Sequence, residues 1–238
     1  YGKETGCCGG FGGSMHLLDE SVGFMGSTAI VAGTVPIALG LAYANKITNT
    51  NTVTCAFLGE AVTETGVFFE SINLAAVKNL PLIFVCENNL YSVYTDLKPR
   101  QSPRRNNKKM VESIGMKYAS SEGNDVQKVH KTMQKIVEKV KKTRIPYFVE
   151  FSTFRYLEHC GPNNDDNLGY RPKSQVKKWL HLDPVEIFEK RVINKIVSES
   201  RYEKIVGSIT SEIEDAFQKA ELAKFPSHAN CRKFVNHE

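Results

Sequence analysis

The sequence predicts an α/β fold, a doubly wound and mostly parallel sheet with helices on both faces. Three observations predict it. The runs TVTCAFL (52–58) and LPLIFVC (80–86) are continuously apolar, the pattern of strands covered on both faces. Strand-like and helical patterns then alternate along the chain, in three β-then-α steps. A third strand, IPYFVEFSTFRY (145–156), follows a surface-helix pattern in DVQKVHKTMQKIVEKVKK (125–142).

The elements follow in order. GCCGGFGGSMH (6–16) is a backbone-dominated loop ending on a lone histidine, His16. STAIVAGTVPIALGLAYANK (27–46) carries Ala32, Ala38, Gly40, Ala42 and Ala44, and predicts a tightly packed helix entered near Thr34 or Val35, with Pro36 in its first turn. TVTCAFL is expected to be a buried strand. TETGVFFESINLAAVKN (63–79) is an amphipathic helix with Val67, Ser71, Leu74 and Val77 along one side. LPLIFVC is the next strand, and RQSPRRNNKK (100–109) lies in a polar loop. GMKYASSEGND (115–125) is expected to be a strand and turn. LEHCGPNNDDNLGYRPK (157–173) is a long polar loop of a length more often functional than idle. From DPVEIFEKRVI (183–193) onward the chain is helical and charged, with Asp183 as cap and Pro184 at the first position.

Composition bounds the function. The 238 residues can bury a sizeable core, and the net charge of +5 is spread along the chain rather than gathered into a nucleic-acid-binding face. Six cysteines without metal-ligand spacing suggest free thiols in a reducing cytoplasm. No apolar run approaches the roughly 20 residues of a membrane helix. The chain opens on Tyr1 in a glycine-rich loop and reads as a fragment or a trimmed chain.

Ligands of open α/β sheets bind outside the carboxyl ends of the strands. Those ends carry Gly59, Glu60 and Ala61 after the first strand, Glu87, Asn88 and Asn89 after the second, and Arg155 after the third. A carboxylate, an amide oxygen and a backbone carbonyl suit magnesium, which takes few protein oxygens and several from phosphate. Taken singly, Glu60 is also read as a first-turn acid of the next helix, and ENN (87–89) as a turn.

Together, in this order and spacing, Gly-Glu-Ala and Asn-Asn resemble the thiamine-diphosphate motif of the transketolase superfamily. The blocks GGSMH (12–16), AIVAGTVPIALGLAYANK (29–46), TGVFFESINLAAVKNLPLIFVCENNLYSVYT (65–95), TFRY (153–156) and GYRPK to DP (169–184) run in one family's order. That family is the alpha subunit of the thiamine-dependent dehydrogenase component of 2-oxo acid dehydrogenase complexes, of pyruvate, acetoin and branched-chain type.

The resemblance implies a thiamine-diphosphate-binding α/β domain over 1–182 and a C-terminal helical extension over 183–238. It implies thiamine diphosphate and Mg2+ as cofactors, with Glu60, Asn89 and the Tyr91 carbonyl as metal ligands. Gly59, Ala61 and Arg155 would line the diphosphate, and Ala29 and Val31 the rings. His16 and His159 would be catalytic, His159 also meeting the diphosphate. A beta-type transketolase-family subunit would complete an α2β2 enzyme that cleaves or decarboxylates a 2-oxo acid or 2-hydroxycarbonyl substrate. The fragment would pass to an acceptor such as lipoamide, with a lipoyl acyltransferase as further partner. Gly9 and Phe11 in CCGGFGG, Leu157 and Cys160 depart from the pattern of relatives, and EHCGPNNDDNLGYR (158–171) resembles a bacterial branch working on carbohydrate-like substrates. Glu60 and Ala61 stand where the family has aspartate and glycine, so the alternative is a non-catalytic homologue kept for assembly.

Overall fold

The computed structural model describes residues 1–228; residues 229–238, the end of the expected C-terminal extension, lie outside the described residues. Two compact units form, Tyr1–Ile30 with Val192–Glu238, and Val31–Arg191. The larger unit carries the sheet, and the helices α1 (Thr34–Ile47), α2 (Gly66–Val77), α3 (Asn107–Ile114), α4 (Val126–Thr143), α5 (Lys173–Leu180) and most of α6 (Pro184–Val192).

Its four strands are β1 (Thr54–Gly59), β2 (Leu82–Asn88), β5 (Lys117–Glu122) and β6 (Tyr147–Ser152), all parallel in the order β1-β2-β6-β5. A short antiparallel hairpin, β3 (Tyr91–Ser92) with β4 (Thr95–Asp96), stands apart from the sheet. Side chains alternate across a strand, so β2 feeds two cores. Leu82, Phe84 and Cys86 join α1, α2 and α3 on one face, while Ile83 and Val85 meet Ile136 and Val140 of α4 on the other. The expected α/β class, with a parallel sheet covered on two faces, is what forms.

Local chemistry sets the element ends. Pro36 sits in the first turn of α1, where its missing N–H is not needed. Buried Ala38 and Ala42 let α1 lie against α2. Asp125 caps α4 by accepting from the N–H groups of Gln127 and Lys128, and Asp183 caps α6 by accepting from those of Val185 and Glu186.

Two expectations change. β1 is buried on one face only, through Ala56 and Leu58: Phe57 is 62% exposed and Cys55 is exposed, because α4 packs on β2, β5 and β6 and leaves that face of the edge strand open. In α2 the buried stripe is Phe68, Ser71, Ile72 and Ala75, while Leu74 and Val77 face outward. Phe68 wins the core through edge-on contacts with Phe84 and Phe148, both at 5.9 Å between ring centroids. The hairpin and α3 were not expected from the polar stretch after β2.

Residues before 31 hold to the end of α7 (Glu199–Leu222): the Lys3 ammonium donates to the Ala223 carbonyl at 2.8 Å, and the Glu4 N–H to that of Lys224 at 2.9 Å. α7 exposes Ile205, Ile209, Ile213 and Phe217 at helical spacing.

Candidate active site

The carboxyl ends of the parallel strands lie level, with Gly59 opposite Glu87 and Asn88 opposite Ser152. Directly after Gly59 the chain turns through a 3-10 segment, Glu60–Glu64, that abuts β1, β2 and β3. A Cβ built on Gly59 meets nothing within 4 Å, so the backbone at this corner faces open space. Glu60 is only 3% exposed, which is unusual for a carboxylate without a partner.

The partner is Arg100, from the polar stretch after β2. Its Nη2 donates to Glu60 Oε1 at 2.6 Å, and its Nη1 donates to Glu64 Oε1, which also accepts from Gln101 at 2.7 Å. The Arg100 Nε–H is shared between the carbonyls of Thr95 and Asp96, each at 3.2 Å, which fixes the arm to β4. Arg105 closes the far side of the turn by donating to the Thr63 carbonyl.

Asparagines hold the next turn. Asn89 Oδ1 accepts from the Tyr91 N–H at 2.9 Å, and Asn88 Oδ1 from the Leu90 N–H at 3.0 Å, a pair of Asx turns. Leu90 and Val93 take positive φ, 73° and 54°, a conformation costly for apolar side chains. The Asn88 amide donates to Glu150 Oε1 at 2.6 Å, and Tyr118 donates its hydroxyl to Glu150 Oε2 at 2.9 Å. Burial, reinforced by the Glu150 charge, pushes the Tyr118 phenol up to about 12, so it remains a donor at neutral pH. Glu150→Gln turns an acceptor of several donors into a group that must present its own N–H atoms to them. It is expected to destabilise the chain by about 1–3 kcal/mol, read as a lower midpoint in urea denaturation, whereas Glu150→Asp should recover part of the loss.

The loop after β6 is built around Asp165, 3% exposed. Asp165 pairs with Arg171 at 2.6 Å and with Arg155 at 3.1 Å, and accepts from the Tyr170 hydroxyl at 2.7 Å. The Arg171 guanidinium lies 4.7 Å from the Phe154 ring centre and 5.1 Å from that of Tyr170. Arg155 also donates to the Val93 carbonyl at 3.0 Å, tying this loop to the hairpin after ENN. Arg155 therefore braces protein to protein. His159 stands exposed at the tip of the same loop, beside exposed Cys160.

Among the expected site residues, the fold brings Gly59, Glu60, Ala61, Asn89, Tyr91, Arg155 and His159 to the carboxyl-end side of the larger unit. Val31 begins that unit and is exposed, as is Ala29 before it. His16 belongs to the smaller unit and is exposed, its N–H donating to the Gly13 carbonyl at 3.0 Å. The oxygen donors chosen for magnesium are of the right chemistry, but Glu60, the carboxylate of that set, is held by a guanidinium. Among the described residues no group of three or more His, Cys, Asp or Glu side chains forms a metal site. Arg100, Glu64, Asp165 and Arg171 escaped the sequence reading. The buried acid's need for a counter-charge could have pointed to the basic run after β2, though not to which arginine supplies it.

Comparison with known proteins points to one family over most of the chain. Residues 1–229 match the family described as Dehydrogenase E1 component. The chain is 34% identical over 226 residues to the pyruvate dehydrogenase E1 component subunit alpha of Rickettsia felis, covering 94% of this chain and 68% of that protein. It is 31% identical over 243 residues to the chloroplastic subunit alpha-3 of Arabidopsis thaliana, covering 99% of this chain and 56% of that one. Among solved structures it is similar to transketolase from Campylobacter jejuni, with TM-score 0.47 and 22% identity, over 53% of this chain and 20% of that one. The chain belongs to the dehydrogenase E1 component family.

Proposed function

We propose that the chain is the alpha-type subunit of a heteromeric thiamine-diphosphate enzyme that decarboxylates or cleaves a 2-oxo acid or 2-hydroxycarbonyl substrate and passes the fragment to an acceptor such as lipoamide. The supporting observation is the buried carboxylate of Glu60, set at the mouth of β1 beside the ends of β2 and β3, where an open α/β sheet binds its ligand. The pyruvate dehydrogenase relatives bring the substrate class. Residues 1–182 would form the cofactor domain and 183–238 its helical extension.

Thiamine diphosphate, when bound, supplies a carbanion and an electron sink for breaking a carbon–carbon bond next to a carbonyl. Mg2+ would be held by Glu60, Asn89 and the Tyr91 carbonyl, with Arg100 displaced from Glu60. Gly59, Ala61 and Arg155 would lie along the diphosphate, and Ala29 and Val31 against the rings. His16 and His159 would take and return protons near neutral pH, His159 from a loop tip able to meet the diphosphate.

A beta-type subunit would complete the site in an α2β2 assembly, with a lipoyl acyltransferase downstream. Exposed Ile37, Phe57, Phe69 and Val77 support that partner, since isolated chains seldom leave so much apolar surface in water. No described helix is long and apolar enough to cross a membrane, and the setting we propose is cytoplasmic.

The test is calorimetric titration of thiamine diphosphate, with Mg2+ present, into the chain purified with its partner subunit. Saturable binding supports the enzyme. An intact complex without binding at millimolar cofactor supports the second reading, an assembly homologue, which the Glu60–Arg100 pair favours.

A further inference from the structure

We propose that Arg100 is a built-in counter-cation that competes with divalent metal for Glu60, so that the site is closed by a guanidinium until a cation displaces it. The inference rests on the reading of the strand ends as a cofactor site and goes beyond it. The guanidinium spans two carboxylates, with Nη2 to Glu60 Oε1 at 2.6 Å and Nη1 to Glu64 Oε1. It is itself largely buried, at 13% side-chain exposure, against 4% for Glu60, so water weakens the pair little. Its Nε is anchored by the Thr95 and Asp96 carbonyls, which makes it a fixed charge rather than a wandering surface arm.

A divalent ion binding Glu60 would meet this positive charge within the length of one carboxylate. The attraction that closes the pair then becomes a repulsion the metal must overcome. The reach of the glutamate side chain is part of the device, since it brings the carboxylate against Arg100. Glu64, one turn along the same 3-10 segment, supplies a second acid that keeps the arginine in place.

The test needs no cofactor: Mn2+ alone is titrated into the full chain and followed by electron paramagnetic resonance. Arg100→Gln is expected to bind Mn2+ at least about tenfold more tightly than the wild type. The gain should vanish in the Arg100→Gln, Glu60→Gln double variant. Should Arg100→Gln fail to fold, Glu60→Asp, which shortens the acid away from Arg100 and keeps its charge, is expected to show the same direction of change. Equal Mn2+ affinity in wild type and variant, or a gain that survives loss of the Glu60 charge, overturns the proposal. Failure of thiamine diphosphate to bind would sink the enzyme reading and leave this result standing, because Mn2+ alone decides it.

Discussion

Asp165→Asn is expected to destabilise the chain by about 3–5 kcal/mol, the usual cost of leaving one partner of a buried ion pair uncompensated. Arg171 and Asp165 each keep 2% side-chain exposure, and Asp166 alone, at 24%, is a wetter substitute. Burial on its own would push the Asp165 carboxyl up, but the Tyr170 hydroxyl and the Arg171 and Arg155 guanidinium groups outweigh it and hold it below the usual range. The sign follows from linkage. A carboxyl depressed in the folded state gives its full stabilisation above its unfolded value of about 3.9 and loses it as pH falls through the lower folded value. Urea denaturation of wild type and Asp165→Asn should therefore show a gap that is constant from about pH 5 upward and shrinks below about pH 4. A gap unchanged down to pH 3 would mean that shape rather than charge holds the loop. Because Arg155 and Arg171 carry the same loop that presents His159, loosening Asp165 should also raise proteolytic cutting between residues 157 and 170.

The elements that periodicity specifies were legible, and the contacts between distant loops were not. A continuous apolar run announced β2, a strand-like run after a surface-helix pattern announced β6, and small residues with Pro36 announced α1, since those signals are local. β1 looked equally apolar but lies at a sheet edge, and nothing in its own residues says that α4 stops short of it. In α2 an apolar residue stands on nearly every side, so periodicity could not separate Phe68, Ile72 and Ala75 from Leu74 and Val77. At the site, position relative to strand ends picked out Glu60 and Asn89. It could not show that a guanidinium 40 positions on would claim the acid, because that pairing depends on where the β3–β4 hairpin folds back. Arg155, expected along the diphosphate, also donates to Asp165, Tyr170 and two carbonyls, pairings between distant residues that no local signal announces.

Glu60→Gln is expected to weaken binding of thiamine diphosphate with Mg2+ by about 100-fold or more, since even residues that only orient metal ligands cost 10–100-fold. The substitution keeps size and removes charge from the carboxylate of the proposed donor set, and the two remaining oxygens are neutral. Glu64→Gln is the comparison that gives the number meaning. It takes the other acid from Arg100 while leaving Glu60 charged, so it disturbs the same salt bridge without touching the proposed ligand. If Glu60 acts by holding the metal, calorimetry should find the large loss in Glu60→Gln only, while both variants melt lower than wild type by similar amounts. Equal losses of affinity in the two variants would place the function of the acid pair in shaping the 3-10 turn. Retained affinity in Glu60→Gln would move the metal away from this strand end altogether. The distinction is sharp because the two acids lie on one short segment, share one arginine, and differ in whether they sit at the carboxyl end of the sheet.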